Sequence, residues 1–177
     1  MTKKLKIILI WIIAILVIAI ILHHKSYIIE KTFVNGNSMN PSFYNWEIIC
    51  LYKNYYSNYN DVRDLDIIGF ALKNKWNFIK RIIAKPWDKI IFWKDWFIYK
   101  NNQKLEEKYI KTNQKFNKNN LKLLLTQLEY YNNIIPEHMF LVMWDNRLNS
   151  FDSWVYWLID FDHILWKVYK SIKWYCF

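Results

Sequence analysis

The sequence predicts a mainly β domain carried behind one amino-terminal apolar helix, with a small inserted segment that contains a second helix. Three observations predict it. An unbroken apolar run lies near the amino terminus. Beyond it, short stretches rich in β-branched and aromatic residues alternate with polar turns. Only one later segment repeats its apolar residues at helical spacing. The chain has 177 residues, enough for one ordinary domain plus a small appendage.

The first element is basic and then apolar: Thr2-Lys3-Lys4-Leu5-Lys6, the run Ile7 to Leu22, then His23-His24-Lys25. Its 16 apolar residues span about 24 Å as a helix, against a hydrocarbon core of about 30 Å. Leu5, a snorkelling Lys6 and local thinning of the bilayer make up the difference. A cleaved signal peptide would have an apolar region of about 7–15 residues followed by small residues. Here the run ends in His-His-Lys-Ser-Tyr, with no A-x-A-like site. Residues 1–25 therefore read as a cytoplasmic tail and an uncleaved transmembrane anchor. The lysines before the run favour a cytoplasmic amino terminus. Residues 26–177 then form an extracytoplasmic domain held against the membrane.

Within that domain, Tyr27–Val34, Glu47–Tyr52, Asp66–Phe70, Phe78–Ile83, Lys89–Phe92, Phe97–Tyr99 and Met139–Met143 read as strands. Asn54–Asp64 is a polar loop, and the Lys/Asn/Gln-rich stretch from Lys100 to Asn120 reads as exposed. Leu121, Leu124, Leu125, Leu128 and Tyr131 share one helical face that packs on the sheet, with Asn119 or Asn120 as its cap. The helix lies in an insertion at about 101–135.

Composition narrows the class. Formal net charge is +10, from 25 Lys+Arg against 15 Asp+Glu, which suits nucleic acid or an anionic membrane surface. No zinc-finger spacing or nucleic-acid signature accompanies it, so nucleic acid is not an expected partner. Cys50 and Cys176 lie far apart without a CxxC, and read as two ordinary thiols rather than a disulfide framework or a zinc site. The anomaly is 2 Gly against 11 Trp, where average usage predicts roughly 12 glycines. A β-rich chain with so little glycine lacks its main source of positive-φ turns.

Three segments carry residues suited to catalysis. In Val34-Asn35-Gly36-Asn37-Ser38-Met39-Asn40-Pro41-Ser42, a serine sits in a sharp bend whose backbone N–H groups can stabilise an oxyanion. In Phe78-Ile79-Lys80-Arg81-Ile82-Ile83-Ala84, strand alternation puts Lys80 on the face of Phe78 and Ile82, opposite Arg81. A lysine among apolar side chains loses hydration of its charged form and becomes able to accept a proton from a serine. The third, Met143 to Ser153, is a dense polar cluster after an apolar strand, suited to orienting a catalytic group. His138 and His163 have no triad context, so a serine–lysine pair is the economical choice of nucleophile and base.

In order and spacing, these segments resemble bacterial type I signal peptidase, a membrane-anchored serine protease, over about residues 5–170. Gly36-x-Ser38-Met39-x-Pro41 resembles the nucleophile box, and Lys80-Arg81-x-Ile83 with Pro86-x-Asp88 resembles the lysine box. Asp145-Asn146-Arg147 followed by Ser150-x-Asp152-Ser153 resembles the last box. The resemblance implies Ser38 as nucleophile and Lys80 as general base. It also implies a Ser150 that hydrogen-bonds the lysine, and an Asp152 that supports the architecture. Gly36 matches members without a side-chain donor there, whose oxyanion hole rests on backbone N–H groups. Met39 and Phe43 flank the nucleophile, where they either face substrate or lipid or pack in the core.

The fold implied is a signal-peptidase-like β-rich catalytic domain, and the activity implied is removal of signal peptides from secretory preproteins. Partners are then preproteins, with small side chains at −1 and −3, and the lipid bilayer. No cofactor and no metal are expected, and the chain acts as a monomer. The alternatives are a catalytically silent, membrane-anchored binding module, or a peptidase of the same superfamily with one dedicated precursor. Trp154 stands where the family commonly has an arginine paired with the aspartate, which favours the silent alternative slightly.

Trp46, Trp87, Trp96, Trp144, Trp157 and Trp166 stand where such proteins usually carry glycine. Random drift does not convert glycine selectively into the largest side chain. Some bacterial lineages read UGA as glycine, and a gene of that kind translated with UGA as tryptophan gives this pattern. The printed side chains at these six positions are accordingly read as candidate glycines.

Overall fold

The computed structural model describes residues 3–23, 28–72, 76–93, 97–110, 118–147, 158–171 and 176. The basic–apolar segment forms helix α1, Lys3–His23. Among the described residues no helix is long and apolar enough to cross a membrane. The described side chains of α1 are largely exposed, Ile10 and Trp11 among them.

The remainder is mainly β. Strands β1 (Ile28–Phe33), β2 (Ile48–Lys53), β3 (Ile67–Leu72), β4 (Trp76–Ala84), β5 (Ile90–Phe92), β6 (Ile98–Lys100) and β8 (Met139–Met143) fall on the seven predicted runs. Three more strands were not legible: β7 (Gln103–Lys104), β9 (Leu158–Asp160) and β10 (Ile164–Lys170). A seven-stranded sheet has the order β1-β2-β10-β3-β4-β8-β9, and a smaller one has β5-β6-β7. Every pairing among the described strands is antiparallel. The late strand β10 lies between β2 and β3, so residues near the carboxyl end complete the centre of the sheet.

Helix α2 spans Lys118–Tyr130. It begins before Asn119 and Asn120, so neither is its cap. Of its predicted apolar face, Leu124 and Leu128 lie in the main core and Leu125 packs against it, while Tyr131 falls just after the helix. That core also takes in Ile83, Ile90, Ile98, Leu141 and Met143, so both sheets and the helix share it. Burying side chains of this kind contributes roughly 1.5–3 kcal/mol each. A second cluster of Val62, Ile68, Phe70, Ile82, Phe140, Val142 and Ile159 covers the opposite face of the large sheet. The sheet is thus buried on both faces around β4 and β8.

The two cysteines overturn the reading of free thiols. Cys50 on β2 and Cys176 form a disulfide, with Cα atoms 5.6 Å apart and a sequence separation of 126. Two cysteines without a CxxC looked unpaired because sequence spacing cannot show that the carboxyl end returns to β2.

Backbone dihedrals bear on the scarcity of glycine. Positive φ occurs at Asn54, Asn101, Asn102, Asn132 and Asn133, where asparagine substitutes for glycine at little cost. Positive φ also occurs at Trp46 (65°) and Trp87 (72°), and at Leu65 and His138. For a bulky residue that region is strained. Both tryptophans are exposed, at 72% and 65%, so little burial offsets the strain. Trp166 differs: it has ordinary φ, and its ring lies where a Cβ on Gly69 would come within 2.9 Å.

Candidate active site

The nucleophile segment follows β1 as a compact turn. Gly36 has φ 95°, and a Cβ there would meet nothing within 4 Å, so the backbone conformation and not crowding calls for glycine. Its N–H donates to Asn45 Oδ1 at 2.8 Å, which ties the start of the turn to its end. Asn40 N–H donates to the Asn37 carbonyl and Phe43 N–H to that of Met39, winding the chain around half-buried Ser38. The Asn40–Pro41 peptide bond is cis. Met39 and Phe43 lie in the main hydrophobic core, so they are packing residues of this turn and do not face outward.

The lysine segment lies along β4, between β3 and β8. Lys80 is only 9% exposed. Its Nζ lies 4.4 Å from the centroid of the Trp144 ring and 5.8 Å from that of Phe78. Its sequence neighbour Arg81 makes a dense set of polar contacts. Arg81 Nε and Nη2 donate to the two Asp145 carboxylate oxygens at 2.8 and 2.6 Å, a bidentate pairing with fully buried Asp145. Nη1 donates to the Leu65 carbonyl at 2.9 Å, and Nη2 also to Ser42 Oγ at 2.9 Å. One guanidinium thus fastens β4, the chain after β8, the loop before β3 and the nucleophile turn.

Residues 144–147, from the third segment, complete the convergence. Asn146 N–H donates to the carbonyl of Ser38 at 2.9 Å, and Asn146 Nδ2 to that of Asn37 at 3.1 Å. Arg147 is fully buried, donating to the Trp144 carbonyl and pairing with Glu107. The three predicted segments, about 40 and 65 residues apart in sequence, therefore meet through direct hydrogen bonds. Gly36, Ser38, Arg81, Asp145, Asn146 and Arg147 belong to this assembly, and Lys80 lies beside it against the Trp144 ring. Ser150, Asp152, Ser153 and Trp154 lie outside the described residues, as do Trp96 and Trp157.

Sequence reasoning missed Ser42, Glu107 and Tyr109. Ser42 reads as turn chemistry, and Glu107 and Tyr109 sit in a stretch whose composition reads as exposed. Tyr109 Oη donates to Glu107 Oε1 at 2.7 Å, and its ring centroid lies 4.0 Å from Arg81 Cζ. Burial pushes the Tyr109 hydroxyl well above its ordinary value of 10.0, against the opposing charge of Arg147, so it remains a donor. Among the described residues, no group of three or more His, Cys, Asp or Glu side chains is arranged to hold a metal ion.

Comparison with known proteins bears on the chain as a whole. The family described as signal peptidase, peptidase S26, matches residues 5–170. The chain is 29% identical over 160 residues to signal peptidase I of Bacillus caldolyticus, covering 89% of this chain and 85% of that one. It is 31% identical over 165 residues to signal peptidase IB of Staphylococcus aureus strain Mu50, with the same coverage.

Proposed function

This chain belongs to the peptidase S26 family of signal peptidases, and we propose that it is a membrane-anchored endopeptidase using Ser38 as nucleophile and Lys80 as general base. The family makes it a hydrolase that acts on preproteins. The observation that carries the finer reading is the Asn146-to-Ser38 hydrogen bond together with the Arg81–Asp145 pair. These contacts join the three motif segments, and they support a site that draws on Ser38 and on Lys80, the neighbour of Arg81 on β4.

In the first step neutral Lys80 takes the Ser38 hydroxyl proton as Oγ attacks the scissile carbonyl. Backbone N–H groups of the turn, that of Ser38 included, stabilise the developing oxyanion. The leaving amine takes a proton from the Lys80 ammonium, and an acyl-enzyme remains. Lys80 then deprotonates the water that releases the acyl group and regenerates Ser38. The substrate binds as an added strand, with small side chains at −1 and −3 in shallow pockets.

Anchoring is proposed through the amino-terminal segment on the support of its sequence, the unbroken apolar run Ile7 to Leu22 behind basic residues. The lysines at its start favour a cytoplasmic amino terminus. The Cys50–Cys176 disulfide supports an extracytoplasmic domain, because disulfides persist in oxidising compartments. Residues 26–177 are taken as that domain, with the insertion at about 101–135. General secretory preproteins are the proposed substrates, the lipid bilayer is the other partner, and the chain acts as a monomer.

The test is cleavage of a model preprotein by the full chain in detergent. Ser38→Ala and Lys80→Ala are each expected to abolish cleavage while the circular dichroism spectrum and melting temperature are retained. A Lys80→Ala enzyme of full activity would overturn the assignment of the base. Cleavage by neither the wild type nor any variant would favour the silent binding module.

A further inference from the structure

The exposed-looking insertion sends two side chains into the motif assembly, and these have no role in the chemistry described above. Glu107 is nearly as buried as its partner, its side chain 8% exposed against 0% for Arg147. Tyr109 links this pair to the other one. Its hydroxyl donates to Glu107 Oε1, and its ring lies against the Arg81 guanidinium. The segment is held in shape by a turn in which Ile110 N–H donates to the Glu107 carbonyl at 3.1 Å.

The connections form a closed path. It runs from Arg81 through Asp145 along the chain to Arg147, across to Glu107, through Tyr109, and back to the face of Arg81. Two arginines and two carboxylates balance in charge, which is the arrangement that makes a buried cluster tolerable. Each arginine neighbours a residue of the reaction centre. Arg81 follows Lys80 on β4, and Arg147 follows Asn146, whose N–H holds the Ser38 carbonyl. Asp145 fixes Arg81 only through the two carboxylate oxygens in its plane, and Tyr109 covers the face that this pairing leaves.

We propose that Glu107 and Tyr109 are positioning residues for the peptidase reaction, clamping Arg81 and Arg147 so that the lysine strand and the nucleophile turn keep a fixed separation. The inserted segment then acts on turnover without touching substrate. This rests on the Ser38–Lys80 reading above. A displacement of about 1 Å between nucleophile and base is enough to cost on the order of a hundredfold in rate. Substrate binding along a strand edge depends on backbone hydrogen bonds elsewhere, so KM is expected to change little.

The experiment measures kcat and KM on a fluorogenic peptide with small residues at −1 and −3. The full chain in detergent is used, with active sites counted by the intact-mass shift on acylation of the nucleophile. Glu107→Gln removes the charge that faces Arg147, and is expected to lower kcat per active site by about ten- to a hundredfold at nearly unchanged KM. Tyr109→Phe keeps the ring on Arg81 and loses only the hydroxyl, and is expected to lose less. Tyr109→Leu also loses the ring and is expected to lose more than Tyr109→Phe.

Wild-type kcat per active site in Glu107→Gln would overturn the clamp. So would a loss explained wholly by fewer active sites, since that is a folding effect alone. If Glu107→Gln does not fold, Tyr109→Phe against Tyr109→Leu decides by the same split. Failure of the underlying dyad would look different, because Ser38→Ala would then cleave or the wild type would not.

Discussion

Among the described residues, ion pairs are buried in two places, and they differ in what they hold. One is the Arg81–Asp145 and Arg147–Glu107 cluster beside β4 and β8. The other lies on β10 and in the loop before β3, where Lys167 pairs with Asp66. Tyr56 Oη donates to Asp66 at 2.8 Å, and the rings of Tyr55, Tyr56 and Tyr169 lie 5.2–5.9 Å from Lys167 Nζ. Both clusters balance charge, and both join residues far apart in sequence, 64 for Arg81–Asp145 and 101 for Lys167–Asp66. Burial of charge therefore does not by itself mark the proposed reaction centre. The first cluster neighbours Ser38 and Lys80, whereas the second fastens two adjacent strands of the sheet.

Substituting one partner in each cluster tests this contrast, and the largest effect is expected there. Arg81→Met and Lys167→Met each leave a buried carboxylate unpaired, at a cost of about 3–5 kcal/mol. Melting temperatures should fall comparably. Cleavage per folded molecule should drop more than about a hundredfold in Arg81→Met and stay within about twofold in Lys167→Met. Equal losses of cleavage in the two variants would break the comparison.

The second region also holds the disulfide, since Cys50 lies on β2 and pairs in register with Tyr169 of β10. A cross-link of separation 126 restricts the unfolded chain by about 3–5 kcal/mol. Cys176→Ser should therefore lower the denaturation midpoint while leaving kcat and KM of the folded enzyme unchanged. A fall in kcat at temperatures well below the melting point would couple β2 and β10 to the reaction centre and blur the contrast.

The sequence made seven strands legible because each pairs apolar periodicity with flanking turn residues. Strand β10 was hidden by its own chemistry. Ile164-Leu165-Trp166-Lys167-Val168-Tyr169-Lys170 carries a lysine that is buried by its partner Asp66, and no local pattern announces such a partner. The convergence of three segments was legible in the motifs around Ser38, Lys80 and residues 145–147, since each carries polar residues in a spacing that a shared site would need. Glu107 and Tyr109 were not, because a clamp defined by long-range pairing leaves only one acid and one aromatic in a Lys/Asn-rich stretch. Met39 and Phe43 were ambiguous for the complementary reason: an apolar residue beside a nucleophile reads alike whether it meets lipid, substrate or core.

The tryptophans give the finest contrast between the two regions. Trp46 and Trp87 stand in turns that follow the nucleophile and lysine segments, and their N–H groups donate to the carbonyls of Val34 and Ile135 at 2.8 Å. The two residues have φ of 65° and 72°. Glycine at either position removes a penalty of about 1–2 kcal/mol. Trp46→Gly and Trp87→Gly should each raise the melting temperature by about 2–4 °C. In the second region Trp166→Gly should lower it, because the indole covers Gly69 across β10 and β3. A bare glycine pair there would leave the sheet without that packing. If all three substitutions destabilise, tryptophan is native at 46 and 87 and the turns have adapted to it. Codons decide the same point independently: UGA at 46 and 87 fits glycine in the living protein, and UGG excludes it.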